Sequence, residues 1–568
     1  MKPLIEFKDV SFQYHSQSEP TLHDLNIAIY PGEKILVVGP SGSGKSTFAH
    51  CMNGLIPHMY SGALTGSVQV NGKDVSTSSL SSLSFDIGTV LQDTDGQFIG
   101  LSVAEDIAFS LENECVAQSE MKHAVKKMAE TVYLTDHLSH RPQDLSGGQK
   151  QRVSMAGVLI DEVPILLLDE PLANLDPKTG KESMVLLDEL NEQYGATIII
   201  VEHRLEDVLY RDVDRILVFS EGLIISDSSP DELLKQSLLA DVGIREPLYI
   251  SAMKYAGVDL SQVEKIASLS DVTAPKLKTQ MQEWVSDLPQ PRVMEKQSPL
   301  LSIKDLTVRY EAQGKPVLQD LSVDFHTGEM VSIVGENGAG KSTLCKAICG
   351  FTPAESGKFM WNNQDFNSLS IKERADYVGY VMQNPNQMIS KKMIREEVGL
   401  GLVLRGVSEE EIEERVTRVL KVCGLYPFRN WPISALSFGQ KKRVTIASIL
   451  VLNPKMILLD EPTAGQDLKH YTEMMDFLLE ISHQGVTVGM VTHDMHLMLE
   501  YTDRTIVIGE GRVLADDIPA HILTNHQLVE QASLKETSLF TFSQQLGMAD
   551  PVSFTEKFIA FDREARLK

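Results

Sequence analysis

The chain carries no apolar run of bilayer length. Stretches such as Val163–Leu168 and Ile198–Val201 fall far short of the ~18 residues that a spanning helix needs. The start, Met1-Lys2-Pro3-Leu4-Ile5-Glu6-Phe7, has no continuous apolar core of the secretory type, so no export signal is expected. Cysteine is scarce. Cys51, Cys115, Cys345, Cys349 and Cys423 have no zinc-ribbon spacing, and Cys345 and Cys349, one helical turn apart, are expected as small buried residues. Basic residues are in deficit, with Lys+Arg 52 against Asp+Glu 78 and a net charge of −26. A polyanion binder normally carries the opposite excess, which argues against nucleic acid as a partner. These absences point to a reduced cytoplasmic protein. Its 42% hydrophobic and 23% charged residues are a globular balance, and 568 residues exceed what one core accommodates.

What is present is one module written twice. Gly39-Pro40-Ser41-Gly42-Ser43-Gly44-Lys45-Ser46-Thr47 recurs as Gly335-Glu336-Asn337-Gly338-Ala339-Gly340-Lys341-Ser342-Thr343. Leu145-Ser146-Gly147-Gly148-Gln149 recurs as Leu436-Ser437-Phe438-Gly439-Gln440, and Leu168-Asp169-Glu170-Pro171 as Leu459-Asp460-Glu461-Pro462. Val201-Glu202-His203 answers to Val491-Thr492-His493. Four ordered matches at a nearly constant offset are a duplication, not chance. The expected organisation is a first domain over 1–240, a linker over 241–298, a second domain over 299–530 and a tail over 531–568. Ala274-Pro275 and Leu288-Pro289-Gln290-Pro291 predict an extended end to the linker, although 264–284 reads as partly helical. Phe540, Phe542, Phe554, Phe558 and Phe561 predict tail helices packed on the second domain.

Each glycine loop follows an apolar strand-like run, Lys34–Val38 or Met330–Val334, and enters helix-compatible sequence. In that order such a loop wraps backbone N–H groups around phosphates at a positive helix end. Lys45 and Lys341 would neutralise phosphate oxygens, and Ser46 and Ser342 would ligate Mg²⁺. Asp169 and Asp460 end apolar strands, where a carboxylate reaches the same ion; alone, such an Asp-Glu pair also fits a helix cap. Glu170 and Glu461 stand where a general base would polarise water.

Both halves resemble ATP-binding-cassette (ABC) ATPases, most specifically in Leu-Ser-Gly-Gly-Gln. The resemblance implies an α/β fold of two tandem phosphate-loop domains. Each would have a RecA-like α/β core, an antiparallel β subdomain and a helical subdomain. It also implies ATP hydrolysis with ATP and Mg²⁺, and head-to-tail pairing of the two cassettes. Lys45 would then face Ser437, and Lys341 would face Ser146. Ser146, Gly147, Gly148 and Gln149, or Ser437, Gly439 and Gln440, would complete each γ-phosphate cage. Gln92 and Gln383 match the glutamine that senses Mg²⁺ and the attacking water, and His203 and His493 the switch histidine. Asp176 and Asp467 match an aspartate at the cassette interface. Tyr14 and Tyr310 stand where a ring stacks on adenine, or serves as a core aromatic. Phe438 and Gln466 depart from the family pattern; a side chain at 438 is expected to restrict the backbone and crowd its approach to phosphate.

The segments Leu91–Phe98 and Met382–Met388, each with a second glutamine (Gln97, Gln387), resemble the energy-coupling-factor (ECF) branch, as does Ser102–Asn113. The resemblance implies an importer motor for a vitamin or metal ion. It would sit on the cytoplasmic face of the cell membrane, docked through these segments on a transmembrane scaffold beside a substrate-capturing membrane subunit. The ATPase of a sugar importer and a ribosome-associated tandem-cassette translation factor are the alternative readings.

Overall fold

The computed structural model describes residues 2–566 apart from 92–94, 173–174, 290–297, 312–313 and 464–465. The chain divides into two compact units, Met1–Met281 and Gln282–Lys568.

In the first unit, strand Ile5–Tyr14 alternates buried and solvent-facing side chains. It lies between Leu22–Ile29 and Gly62–Val70 in a four-stranded antiparallel sheet completed by Lys73–Asp74. Strand Lys34–Val38, by contrast, is buried throughout, as both faces of a parallel sheet require. Its six-stranded sheet has the order Leu223–Ser228, Arg215–Ser220, Lys34–Val38, Thr197–Val201, Ile165–Asp169, Ile87–Val90. All neighbours are parallel except the edge hairpin Arg215–Ser220/Leu223–Ser228. Helices Val103–Asn113, Gln118–Thr131 and Gly147–Leu159 form the helical part, the first and third opened by capping boxes from Ser102 and Ser146.

The second unit repeats this plan. Its antiparallel sheet runs Leu318–His326, Pro299–Val308, Ser356–Trp361, Gln364–Asp365. Its larger sheet runs Val378–Val381, Met456–Asp460, Thr487–Val491, Met330–Val334, Arg504–Gly509, Arg512–Asp517. Helices Ile394–Val403, Glu409–Val422 and Phe438–Leu450 answer to the helical part of the first. An α/β fold of two cassettes, each with these three parts, is therefore what the chain adopts.

Residues 241–281, read from the sequence as linker, are compacted into the first unit. Helix Leu248–Tyr255 places the Tyr249 hydroxyl 2.8 Å from the Ile266 carbonyl, to which it donates. Helix Leu277–Asp287 runs across the residue where the units divide. In the tail, helices Ser538–Gln545 and Pro551–Arg566 belong to the second unit. Phe558 and Phe561 lie edge-on to Trp284 at 6.4 and 5.6 Å, and Arg563 donates to the Leu499 and Thr502 carbonyls. Cys345 and Cys349 are buried. Among the described residues no helix is long and apolar enough to cross a membrane.

Candidate nucleotide sites

Parallel strands bring their C-terminal ends to one edge of a sheet, and there the repeated motifs meet. Val37 pairs with Val201, and Val201 with Asp169, so the glycine loop, the Asp-Glu pair and the switch histidine leave neighbouring strands together. The second unit uses the same register, Ile333 with Val491 and Val491 with Asp460.

Gly39 must be glycine: a Cβ there would lie 2.5 Å from the Phe219 carbonyl oxygen. Gly44 has φ 104 and leads into helix Lys45–Met52, whose N-terminus receives no side-chain cap. Its first amides are thus directed at the loop, an arrangement suited to an anion. Ser43 Oγ is buried in this loop without a hydrogen-bond partner, a polar cradle that fits phosphate. Lys45, 5% exposed, donates from Nζ to the Gly39 and Pro40 carbonyls at 2.8 and 2.9 Å. Lys341 does the same to Gly335 and Glu336 at 2.9 and 2.8 Å, ahead of an equally uncapped helix, Lys341–Cys349. Ser46 is exposed and Ser342 half-buried at the first turn of these helices. Tyr14 and Tyr310 are tied to the same helices, their hydroxyls 3.2 Å from Thr47 Oγ1 and 3.0 Å from Thr343 Oγ1.

Glu170 and Glu461 both adopt φ 48, a left-handed conformation uncommon for a side chain of this size. Their amides donate to the Val201 and Val491 carbonyls at 2.8 and 2.9 Å, holding the turn against the next strand. Glu170 Oε1 lies 3.0 Å from His203 Nε2, and Glu461 Oε1 3.7 Å from His493 Nε2. Burial pushes the Glu170 carboxyl up, but the hydrogen bond and charge of His203, with Lys45 and Arg204, hold it below the ordinary range. Asp169 is pushed up to about 6, first by burial and then by Glu170, with Lys45 acting the other way.

Several groups around these sites were not singled out from the sequence. In the first unit Glu202 is buried and accepts from the amides of Leu172, His203 and Arg204, at 2.9, 2.8 and 3.1 Å. In the second unit its place is taken by Thr492. There the Tyr380 hydroxyl donates to Asp460 Oδ2 at 3.0 Å, where the first unit has Thr89. Burial and Asp460 both raise the Tyr380 phenol.

Ser146 and Ser437 cap their helices through reciprocal bonds with Gln149 and Gln440. A Cβ on Gly148 would strike Thr179 Cγ2 at 2.0 Å; Gly439 has more room, with Gln466 nearest at 3.9 Å. Phe438 corrects an expectation. It is the first residue of an ordinary helix with its capping box intact, so its Cβ does not distort the turn. Its ring, 43% exposed, lies 5.6 Å from Lys442 Nζ. Lys442 is itself buried; burial pulls its ammonium down to about 8 against the pull of Glu461 and Asp460. Asp176 and Asp467 are buried N-caps of helices Pro177–Tyr194 and Leu468–His483. Asp176 binds Thr179, and Asp467 binds His470.

Gln92 lies outside the described residues, and Gln383 is exposed. Gln97 braces its loop by donating to the Thr89 carbonyl and accepting from the Leu91 amide, both at 3.2 Å. Met388, expected on a docking surface, instead packs against the core and accepts from the Met382 amide at 3.2 Å. Apolar groups that face solvent in and after the first of these loops include Leu91, Ile99, Leu101 and Phe109, at 40%, 63%, 82% and 38% exposed.

A family model described as "ABC transporter" matches residues 22–173 and 318–464, and one described as "ATP-binding cassette cobalt transporter" matches 236–307. A relative from Enterococcus faecalis, named only by family as an ABC transporter ATP-binding protein, is 63% identical over 100% of this chain and 99% of its own. A Lactiplantibacillus plantarum relative with the same name is 55% identical over 99% and 100%. A solved structure of cbiO1 from Clostridium perfringens, described as part of the ABC transporter complex cbiONQ, is 32% identical. It covers 41% of this chain and 94% of that one, with a TM-score of 0.39. On the family model and the two full-length relatives the chain belongs to the ABC transporter ATP-binding family, whose members bind and hydrolyse ATP.

Proposed function

We propose that the chain is the ATP-hydrolysing motor of an ECF-type importer. It would couple two composite ATP sites to uptake of a vitamin or metal ion through membrane partners. The observation that carries this reading is the solvent-facing apolar group Ile99, Leu101 and Phe109, next to the loop braced by Gln97. That loop has the two-glutamine pattern of the ECF branch, and three exposed apolar side chains beside it suit a docked helix of a membrane scaffold. The cobalt-transporter match over 236–307 supports the same branch. Domains over 1–240 and 299–530, a linker between them and a tail from 531 remain the proposed functional division. The proposed location is the inner membrane face.

In each site the glycine loop and helix N-terminus hold the phosphates, and Lys45 or Lys341 turns its ammonium from loop carbonyls to phosphate oxygens. Ser46 with Asp169, and Ser342 with Asp460, would hold Mg²⁺ together with Gln92 or Gln383; when bound, the ion neutralises charge on the phosphate oxygens. Glu170 and Glu461 take a proton from the attacking water at a carboxylate oxygen. His203 and His493, beside those oxygens, orient the carboxylates and the water. Tyr14 and Tyr310 stack on adenine. The signature residues Ser146–Gln149 and Ser437–Gln440 close over the nucleotide of the other cassette, so ATP joins the two and hydrolysis releases them.

The test is purification of the full chain from membranes in mild detergent. Two integral membrane proteins are expected to copurify, and Leu101→Asp is expected to release them while ATP affinity is kept. Cosedimentation with ribosomes, or membrane binding unaffected by Leu101→Asp, would overturn the reading.

A further inference from the structure

The helix that opens on the second signature motif carries Lys442 where its counterpart in the first unit carries Gln151. Gln151 donates its amide to the Pro171 carbonyl at 2.6 Å and accepts from Ser183 Oγ at 3.3 Å. A lysine has three donors and no acceptor, so it cannot take the hydrogen bond that Ser183 donates to Gln151. The position that answers to Ser183 is Met474, buried and without one. Donor and surroundings thus differ together, and the lysine sits in a place built for it.

Lys442 is 2% exposed, and Nζ donates to the backbone carbonyl of Glu461. The Phe438 ring, one helical turn earlier, lies over the same ammonium at 5.6 Å, within cation–π range. Abandoning the carbonyl would leave a buried charge without its acceptor, so the bond is costly to break. Glu461 is in the left-handed region, with its amide held by the Val491 carbonyl at 2.9 Å. The bond from Lys442 to its carbonyl holds the other side of this turn, the backbone from which the Glu461 carboxylate reaches to 3.7 Å from His493.

We infer that Lys442 is a positioning residue for hydrolysis in the second unit, and that Phe438, Lys442 and Glu461 link the signature turn to the general base. If the cassettes pair head to tail as proposed above, Ser437–Gln440 serves the first unit's nucleotide. Closure on that nucleotide would then set the base that acts on the other. This last step rests on the pairing; the link itself does not.

The experiment uses the full chain with Glu170→Gln, so that turnover reports the Glu461 centre. Lys442→Met should lower kcat about tenfold, and Phe438→Ala about threefold, each with the KM for ATP within about twofold. A merely structural loss would not separate kcat from KM in this way. The double variant should be no slower than Lys442→Met alone, because one chain of contacts is cut twice. Phe438 is a partly exposed surface residue, so its variant folds even where Lys442→Met does not. An unchanged kcat for Phe438→Ala, or strict additivity of the two losses, would overturn the link. Ser146→Ala in the same background tests the pairing separately. If it is silent, head-to-tail pairing fails, and the Phe438 result still judges the link.

Discussion

The two hydrolytic centres share a backbone and differ in what surrounds their carboxylates. The first packs a third acid, Glu202, against the loop of His203 and anchors its Asp-Glu turn with the neutral Gln151. The second has Thr492 in place of that acid, a tyrosine on Asp460 and a buried cation on the Glu461 carbonyl. The glycine loops, the capping boxes of the signature helices and the left-handed glutamates are alike in both. A duplicated module has therefore kept what places the phosphates and changed what tunes the acids. Such tuning is the means by which two sites in one chain acquire unequal rates.

The most drastic way to break the comparison is to remove both loop lysines. Lys45→Ala with Lys341→Ala should lower ATP affinity at least about a hundredfold while the fold survives, since each deletes a charge-assisted contact to phosphate. Equilibrium dialysis should find two nucleotides per wild-type chain; one would contradict two equivalent binding loops.

Next is the buried cation. Lys442 ionises at about 8 in the folded chain against 10.5 as its ordinary value, so between these the unfolded chain binds more protons. Stability from this group therefore rises with pH over that window. Relative to Lys442→Met, the wild type should gain roughly 2 kcal/mol from pH 7 to pH 10 in chemical unfolding. A parallel pH course for the two proteins would refute it.

In steady-state hydrolysis, Glu461→Gln should cost more than Glu170→Gln by about tenfold, or ~1.4 kcal/mol. The Lys341 site would close against the unmodified Ser146–Gln149, and the Lys45 site against a motif carrying Phe438. Equal losses would show the centres to be equivalent or strictly alternating. Phe438→Gly should narrow the gap.

The smallest effect is expected at Tyr380. Its hydroxyl draws on the Asp460 oxygen that would meet Mg²⁺, so Tyr380→Phe should lower the Mg²⁺ needed for half-maximal hydrolysis about threefold, with Thr89→Tyr acting oppositely in the first unit. Mn²⁺ binding followed by electron paramagnetic resonance gives the same comparison without turnover.

The loops, the acid pairs and the histidines were legible in the sequence because each is a local pattern set at a strand end. The groups that touch those acids and their turns from elsewhere in the chain were not. Gln151 meets Pro171 across 20 residues, and Tyr380 meets Asp460 across 80, and such separations carry no periodic signal. Glu202 stood beside His203 in plain view, yet nothing in its spacing distinguishes a buried acid from a solvated one. Phe438 was read as a backbone constraint, but the first turn of a helix accepts any Cβ whose φ is negative. The partly helical reading of 264–284 meets helix Leu277–Asp287, the extended end expected near Pro291 lies mostly outside the described residues, and the apolar side chains of 244–266 are what bring the earlier linker into the first unit. Met388 is expected outward from its place in the segment that begins at the Mg²⁺-sensing Gln383, yet it is partly buried and its thioether accepts the Met382 amide.

Lys45 and Lys341 already hold two carbonyls of their own loops. If these ammonium groups take phosphate, as proposed, the ligand must replace a solvated-like shell that the protein supplies to itself, and its net gain would be the difference between phosphate and carbonyl oxygens. A monophosphate, which cannot extend a second phosphoryl group to the ammonium, has little with which to make that exchange. Discrimination against AMP then needs no steric barrier. It follows from how well the resting loop satisfies its own lysine, and the cell's ratio of tri- to monophosphate would be read at the first encounter.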